Sequence, residues 1–273
     1  MVKYPSEKIF EKLLEEYYQV PTSRKLLCSM VRFEDLYAPG YGYQDILVRT
    51  FSFLPDLFGN EEIRQVNRAR VYNTRKDLIK TTEGSRGKSL ILTSKGRKVY
   101  FQKYPLAKLR QKPWDGNWTL VSYDVPSNRQ QNYLRDKLRH NLLSFGFGQL
   151  HQSLMISPLP LEEPVQEFVE GERLKDFVVV MRSKRIWGFS DQEIARKAYD
   201  LGRLQLLYNE LNGVFEQASK QKSDLKLWRS YYLAVDNADP QLPSELLPEG
   251  WPGDDAREKF ISSFSILERI LNR

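Results

Sequence analysis

Three arginines are spaced so that they share one face of a helix. Arg64, Arg68 and Arg75 fall within about 40° of one another on a helical wheel, and Tyr72 lies near them. A guanidinium group stays charged at physiological pH and binds phosphate oxygens through a planar fork of N–H donors. A helix with this face would therefore bind a polyanion.

Neighbouring residues extend this candidate set toward nucleic acid. Asn67 and Asn73 carry amides, which pair with base edges in the major groove, whereas contacts to phosphates carry no sequence information. Spacing does not sort the set into these two roles. The predicted DNA-binding residues are Arg64, Asn67, Arg68, Tyr72, Asn73, Arg75, Lys76, Arg86 and Lys88.

The distribution of charge supports this location. The 273 residues include 42 Lys and Arg against 35 Asp and Glu, a formal charge of +7. Residues 61–112 hold 15 of the basic residues and four acids, a net +11, so the remaining 221 residues carry a net −4. A charge of +7 by itself also serves solubility. The concentration of charge in one segment points instead to a polyanionic partner.

The sequence around the arginines predicts the elements that would position them. Acids begin residues 61–80 and Lys80 ends them, as the helix dipole favours. Two short apolar runs around a Gly-containing turn then predict a hairpin tipped by Arg86 and Lys88. The other predicted segments are helices at 23–36, 43–58 and 94–102 and strands at 78–82 and 89–93. A helix followed by a basic-tipped hairpin is the order of a winged helix, which places the helix in the major groove.

Thiol, zinc and phosphate-loop chemistry is not expected. Cys28 is the single cysteine and lies in an apolar stretch, so it is predicted to be a core residue. His140 and His151 are too few for a histidine-built metal centre, and no GxSxG elbow accompanies them. The sequence also lacks GxxxxGK[ST] and GxGxxG motifs. We expect no cofactor and no catalytic residue.

The middle of the chain predicts a second kind of domain. Residues 118–125 are strand-like and end at Pro126, and Ser127 is placed to cap a helix. Four apolar residues of that helix recur at the spacing of a core-facing stripe: Leu134, Leu138, Leu142 and Phe145. Two short strands, a second helix and a fourth strand follow. The order βαββαβ is that of a ferredoxin-like fold.

Two stretches carry a resemblance to a known family. Residues 114–158 are similar to the middle domain of the PaaX-like transcriptional repressors, which resembles the small CRISPR-associated endonuclease fold. Both families share the unit at Ser122–Pro126 that ends the first strand. The stretch DPQLPSELLPEGWPG, Asp239–Gly253, resembles the segment that closes PaaX-like proteins. This second match is the more specific one.

The resemblance implies a homodimeric repressor that binds a double-stranded DNA operator and is released by a small acyl-CoA. In the members that gave the family its name, that effector is phenylacetyl-CoA. The predicted recognition helix departs from the family pattern, because it has Arg70 and Asn73 where apolar residues are common. The operator sequence is therefore not transferred, and the effector-binding residues are unknown.

Asp124 supports a rival reading as a metal-dependent nuclease. In the endonuclease family the Asp at this position binds a divalent metal at a dimer axis, where paired carboxylates activate water. The structural alternative is an end-of-strand Asp that caps the next helix or holds the turn. We favour the structural role, because the repressors share this Asp and no second acid accompanies it.

A third reading is an RNA-binding adaptor that uses the basic segment.

The C-terminal part predicts helices with two open interpretations. Ser190 and Glu193 form a capping-box pattern, and a near-heptad seam follows: Ile194, Leu201, Leu204, Tyr208, Leu211 and Phe215. This seam suits a dimer contact or a bundle within one chain. A group of aromatic residues suits an effector pocket or core packing, of which we favour core packing: Trp228, Tyr231, Tyr232 and Trp251.

The expected fold class is therefore α+β, with a winged helix-turn-helix, a ferredoxin-like domain and a helical C-terminal domain. The expected boundaries are 1–20 for an extra amphipathic helix, 21–112, 113–186 and 187–273. The first ten residues lack the apolar core of a signal peptide, and the longest uncharged stretch is too polar for a membrane span. We expect a cytoplasmic protein with no membrane partner.

Overall fold

A computed structural model describes residues 2–36, 63–84, 87–111, 113–126 and 129–271. These residues form an α+β fold with ten α-helices and two sheets. The helix predicted at 43–58 lies outside the described residues. No helix in the described ranges is long and apolar enough to cross a bilayer.

The chain divides into two compact units. The first comprises Met1–Tyr100, Leu204–Asp239 and Trp251–Arg273, and the second comprises Phe101–Arg203 and Pro240–Gly250. The four-part domain division expected from the sequence stays a prediction.

The N-terminal part of the first unit contains helices and one hairpin. In chain order the elements are α1 (Glu7–Gln19), α2 (Thr22–Leu36), α3 (Ile63–Arg75), β1 (Ile79–Gly84), β2 (Gly87–Leu92) and α4 (Ser94–Lys103). β1 and β2 pair antiparallel from Ile79 opposite Leu92 to Gly84 opposite Gly87. Ile79, Leu90 and Leu92 are buried, whereas Lys80 and Thr81 are exposed. The predicted hairpin is therefore present, with strands that extend closer to the turn.

The helix predicted to reach Lys80 ends five residues earlier, at Arg75. Asp77 adopts a left-handed conformation with φ 57°, and the Leu78 N–H donates to the Asn73 carbonyl at 2.9 Å. This hydrogen bond and the one from the Asp77 N–H to the Thr74 carbonyl form a Schellman cap. The prediction was wrong at this end because an Asp, and not the usual Gly, takes the left-handed position.

A tight corner connects α3, the hairpin and α4. Thr93 precedes α4, and its Oγ1 accepts a hydrogen bond from the Gly96 N–H at 3.0 Å while donating to the Asp77 carbonyl at 2.7 Å. A Cβ at Gly96 would lie 2.1 Å from the Leu78 carbonyl oxygen. Only glycine permits this approach, so Gly96 fixes where the hairpin leaves α3.

The second unit contains a four-stranded antiparallel sheet. Its elements are β3 (Trp118–Tyr123), α5 (Arg129–Phe145), β4 (Gly148–His151), β5 (Leu154–Ser157), α6 (Glu162–Gly171) and β6 (Val178–Ser183). The strands lie in the order β4-β5-β3-β6, with every neighbouring pair antiparallel. The βαββαβ succession and this strand order give the ferredoxin-like arrangement expected from the sequence.

The core of this unit lies between the sheet and its two helices. Leu138 and Leu142 of α5 are fully buried, and Leu134 and Phe145 are partly buried against the same cluster. Val121 and Met155 supply the sheet side of the cluster. Each fully buried aliphatic side chain contributes about 1.5–3 kcal/mol by leaving water. The predicted stripe on α5 is therefore correct.

Four further helices follow the sheet: α7 (Asp191–Ala198), α8 (Leu201–Ala218), α9 (Lys222–Ala238) and α10 (Pro252–Leu271). The Ser190–Glu193 capping box is present, with the Ser190 N–H donating to Glu193 at 2.7 Å. The near-heptad seam is divided between α7 and α8, because Asp200 is left-handed with φ 51°. Its six apolar residues are buried within a single chain, which supports packing within the chain.

Candidate nucleic-acid interface

The outer face of α3 carries the predicted cationic group. Arg64, Arg68 and Arg75 are all exposed, and Asn67 is exposed beside them. Tyr72 lies on the same face with 51% of its surface exposed. The helical-wheel prediction is therefore correct for the three arginines and Tyr72, all of which are exposed. Lys76, just after the helix, is also exposed.

The three arginines on this face keep their charge available. Within the described parts of the chain, no ion pair or hydrogen bond occupies the guanidinium groups of Arg64, Arg68 or Arg75. A cation that already has a carboxylate partner must lose that partner before it binds a phosphate. The three arginines have no such partner among the described residues. They can therefore bind a polyanion without first breaking a described ion pair.

Asn73 does not belong to this face. It is 1% exposed, and its Nδ2 donates to the Ser23 carbonyl of α2 at 2.8 Å. Ala69 lies on the same buried side of α3 at 5% exposure. The prediction that Asn73 contacts DNA is corrected, because the amide joins α3 to α2. The helical wheel already separates the two roles, since nine residues at 100° each place Asn73 opposite Arg64.

Only part of the predicted hairpin tip lies within the described residues. Arg86 lies outside the described residues. Lys88 is described by its backbone in β2, where it stands opposite Glu83. Lys80 is exposed on β1 and was not among the predicted residues. Strand alternation would have found it, because its neighbour Ile79 is buried.

Whether Asp124 can bind a metal ion depends on the donor groups around it. It is exposed directly after β3, and its backbone N–H donates to the Phe177 carbonyl at 2.9 Å. The described residues contain no group of three His, Cys, Asp or Glu side chains able to hold a metal ion. The donors described in one chain therefore do not fit a divalent cation, and we derive no hydrolytic step from Asp124.

The remaining reactive residue types are on elements other than α3. Cys28 is buried in α2, as predicted for a core residue. His140 and His151 are exposed on α5 and β4.

Two family models match the chain downstream of α3. The PaaX protein central Cas2-like domain matches residues 111–195, and the PaaX-like protein C-terminal domain matches residues 199–270. The chain belongs to the PaaX-like family. The first match covers the ferredoxin-like sheet of this PaaX-like chain, and the second covers the closing segment that carried the sequence resemblance.

Two individual proteins are similar to this PaaX-like chain. The transcriptional repressor PaaX of Escherichia coli (strain K12) is 24% identical over 242 residues, covering 82% of this chain and 70% of that protein. A solved structure of an uncharacterized protein from Mycobacterium tuberculosis is 18% identical. It covers 81% of this chain and 88% of that chain, with a TM-score of 0.45.

Packing explains the residues at the two ends of the closing segment, Asp239–Gly253, of the PaaX-like chain. The Tyr208 hydroxyl donates to Asp239 Oδ2 at 2.9 Å at the start of the segment, and burial raises the pKa of that phenol. At its other end a Cβ on Gly253 would lie 2.4 Å from Trp251 Nε1 and 3.1 Å from Tyr208 Cε2. The Gly of the WPG motif therefore lets α10 begin against α8.

The aromatic residues considered for an effector pocket are buried in the PaaX-like chain. Trp228 stacks on Tyr232 with ring centroids 5.8 Å apart, and Tyr232 stacks on Phe260 at 4.4 Å. Tyr231 and Trp251 are buried as well. These contacts support core packing, so the effector-binding residues of this chain stay unassigned.

Proposed function

We propose that this PaaX-like chain is a transcriptional repressor that binds double-stranded DNA through α3. The cationic face of α3, whose three arginines have no ion-pair partner among the described residues, carries this proposal, and a curated relative that is named a transcriptional repressor supports it. In this proposal α2, α3 and the β1–β2 hairpin belong to a winged helix-turn-helix. The repressor has no catalytic step and needs no cofactor.

The side chains of α3 supply two kinds of contact. In the proposal Arg64, Arg68 and Arg75 bind phosphates or a guanine edge, and Asn67 pairs with an adenine edge. Tyr72 adds an apolar ring with a hydroxyl donor. The hairpin, with Lys88 and Arg86, reaches the backbone beside the groove.

In this proposal the repressor binds its operator as a homodimer. Two copies of α3 related by a two-fold axis match two half-sites, and the second half-site then binds at a high effective concentration. We propose that a small acyl-CoA releases the dimer. This requires that the acyl-CoA bind the DNA-incompetent arrangement more tightly, because equal affinity for both arrangements shifts nothing. The site of action is the cytoplasm.

The test is fluorescence anisotropy on duplex from the promoter of its own gene, over a series of salt concentrations. Contacts to Z phosphates should give a slope of about −0.9Z in log affinity against log salt. Phenylacetyl-CoA is the probe for release, and sedimentation velocity gives the stoichiometry. Absence of duplex binding at low salt would overturn the proposal. Tighter binding to RNA of the same sequence would favour the RNA adaptor.

A further inference from the structure

Helix α1 packs along α9 in the first unit, although nothing in the proposed DNA contact requires it. Phe10 of α1 is fully buried, and its ring stacks on Tyr231 of α9 with centroids 4.9 Å apart and planes 19° apart. Tyr4 meets the same Tyr231 ring edge-on at 4.9 Å. Stacked and edge-on aromatic pairs have specific geometry, so this junction fixes the position of α1 on α9.

The start of α1 is held by a second helix of the C-terminal part. The Ser6 N–H donates to both carboxylate oxygens of Glu210 in α8, at 3.0 and 3.2 Å. A carboxylate at a helix N-terminus interacts favourably with the helix dipole and satisfies a backbone donor that the helix leaves open. Glu210 and Tyr231 therefore both hold the N-terminal end of α1.

The other end of α1 is fixed to α2. Only Val20 and Pro21 separate the two helices, and the proline ring restricts the backbone at that point. Lys25 of α2 is 2% exposed, and its Nζ lies 4.6 Å from the Tyr17 ring centroid and 5.3 Å from that of Tyr18. A buried cation over two aromatic rings is a strong and directional contact.

The helix α2 in turn holds α3. The hydrogen bond from Asn73 to the Ser23 carbonyl lies only two residues from Lys25. A continuous series of contacts thus leads from α9 to α3: Tyr231 with Phe10, Tyr17 with Lys25, and Ser23 with Asn73.

We propose that α1 is a strap that positions α3, so that a displacement of α9 changes how α3 is presented to DNA. The consequence for DNA rests on the proposed function; the mechanical coupling does not. Packed interfaces switch between discrete arrangements, so an element that contacts both partners can pass the state of α9 on to α3. Within the described residues of the first unit, α1 makes such contacts at both of its ends.

Hydrogen exchange on the full chain tests the strap at each junction. Phe10→Leu removes the ring stack at α9 while keeping an apolar side chain, and Lys25→Met removes the cation at α2 while keeping the alkyl stem. Each variant should raise amide exchange in α1, α2 and α3 at least fivefold and leave α8, α9, α10 and the second unit unchanged. Ile9→Ala is the control, because Ile9 lies on the exposed side of α1. It should leave exchange in α2 and α3 as it is.

Duplex affinity gives the second readout. Both variants should weaken binding threefold to tenfold with an unchanged salt slope, since the phosphate contacts keep their number. Faster exchange in α1 without a change in α3 would overturn the strap, and so would equal acceleration throughout the first unit, which indicates general destabilisation. If the wild-type chain does not bind duplex, the proposed function fails, and the exchange data still decide the coupling.

Discussion

Arg182 of the second unit and the three arginines on α3 of the first unit are held in opposite ways. On α3 of the first unit, Arg64, Arg68 and Arg75 face solvent, and no described carboxylate pairs with them. In the second unit Arg182 of β6 binds Asp115 at 2.5 Å and Glu162 at 3.5 Å. Burial raises the pKa of the Asp115 carboxyl, but hydrogen bonds from Asn117 and Arg182 outweigh it and hold that pKa below its ordinary value. Arginines that share one helix face without a described carboxylate partner, rather than the charge count, mark a surface for a polyanion.

The largest expected effect follows from removing the three arginines on the exposed face of α3. Arg64→Ala, Arg68→Ala and Arg75→Ala together should weaken duplex binding by about a hundredfold or more. The salt slope should become shallower by about 2 to 3, one lost phosphate contact for each arginine. Anisotropy titrations over a salt series measure both quantities.

A charge-matched variant separates position from net charge. Arg185→Ala, Arg196→Ala and Arg203→Ala remove three exposed arginines from the second unit. This variant should bind duplex within about threefold of the wild type. Equal losses in the two triple variants would contradict the assignment of α3 as the DNA contact.

The next effect concerns the corner that supports α3. Gly96→Ala places a Cβ against the Leu78 carbonyl and should lower stability by about 3 kcal/mol, because the contact is with backbone that cannot move aside cheaply. Gly213→Ala is the control, since nothing lies within 4 Å of its Cβ. In the middle of α8 it should raise stability by about 0.5–1 kcal/mol. Thermal unfolding of both variants decides, and a stable Gly96→Ala would contradict the corner.

The sequence predicted those features in which one periodicity governs a whole element. The stripe on α5 and the arginine face of α3 follow from the 3.6-residue repeat, because one side of each helix is buried. Two boundaries were missed where a residue other than glycine is left-handed, at Asp77 and at Asp200. At the second one the apolar spacing continues across the break, so periodicity alone does not reveal it.

Two asparagines on α3 separate the effect of an exposed polar side chain from that of a buried one. Asn73→Ala removes a buried hydrogen bond to Ser23 and should cost about 1–3 kcal/mol of stability. Duplex affinity should fall a few fold with an unchanged salt slope. Asn67→Ala, on the exposed face, should keep wild-type stability and lose discrimination at one base pair. The reverse pattern would show that the faces of α3 are wrongly assigned.

A smaller effect is expected at the paired arginine. Arg182→Met should lower stability by about 1 kcal/mol or less, as for other partly exposed ion pairs, and leave duplex binding unchanged. The Asp115 part of this contribution is present above the ordinary Asp pKa of about 3.9 and is lost as pH falls through the lower folded value. Unfolding curves of wild type and variant should therefore converge in acid. A loss of duplex affinity would contradict the role of Arg182 as an internal partner.

The smallest effect is expected at Asp124, where the two readings of the second unit differ most. Asp124→Ala should change duplex affinity by less than about twofold. A carboxylate repels phosphate and does not bind it, and Asp124 follows β3, which is not part of the proposed DNA contact. The wild-type chain should not cleave DNA or RNA when Mg²⁺ is added. Gel assays on both nucleic acids with Mg²⁺ and with EDTA measure this. Cleavage that requires Mg²⁺ and disappears in Asp124→Ala would replace the repressor hypothesis with the nuclease. It would also mean that donors beyond the described residues of one chain complete the site, because those described do not suffice.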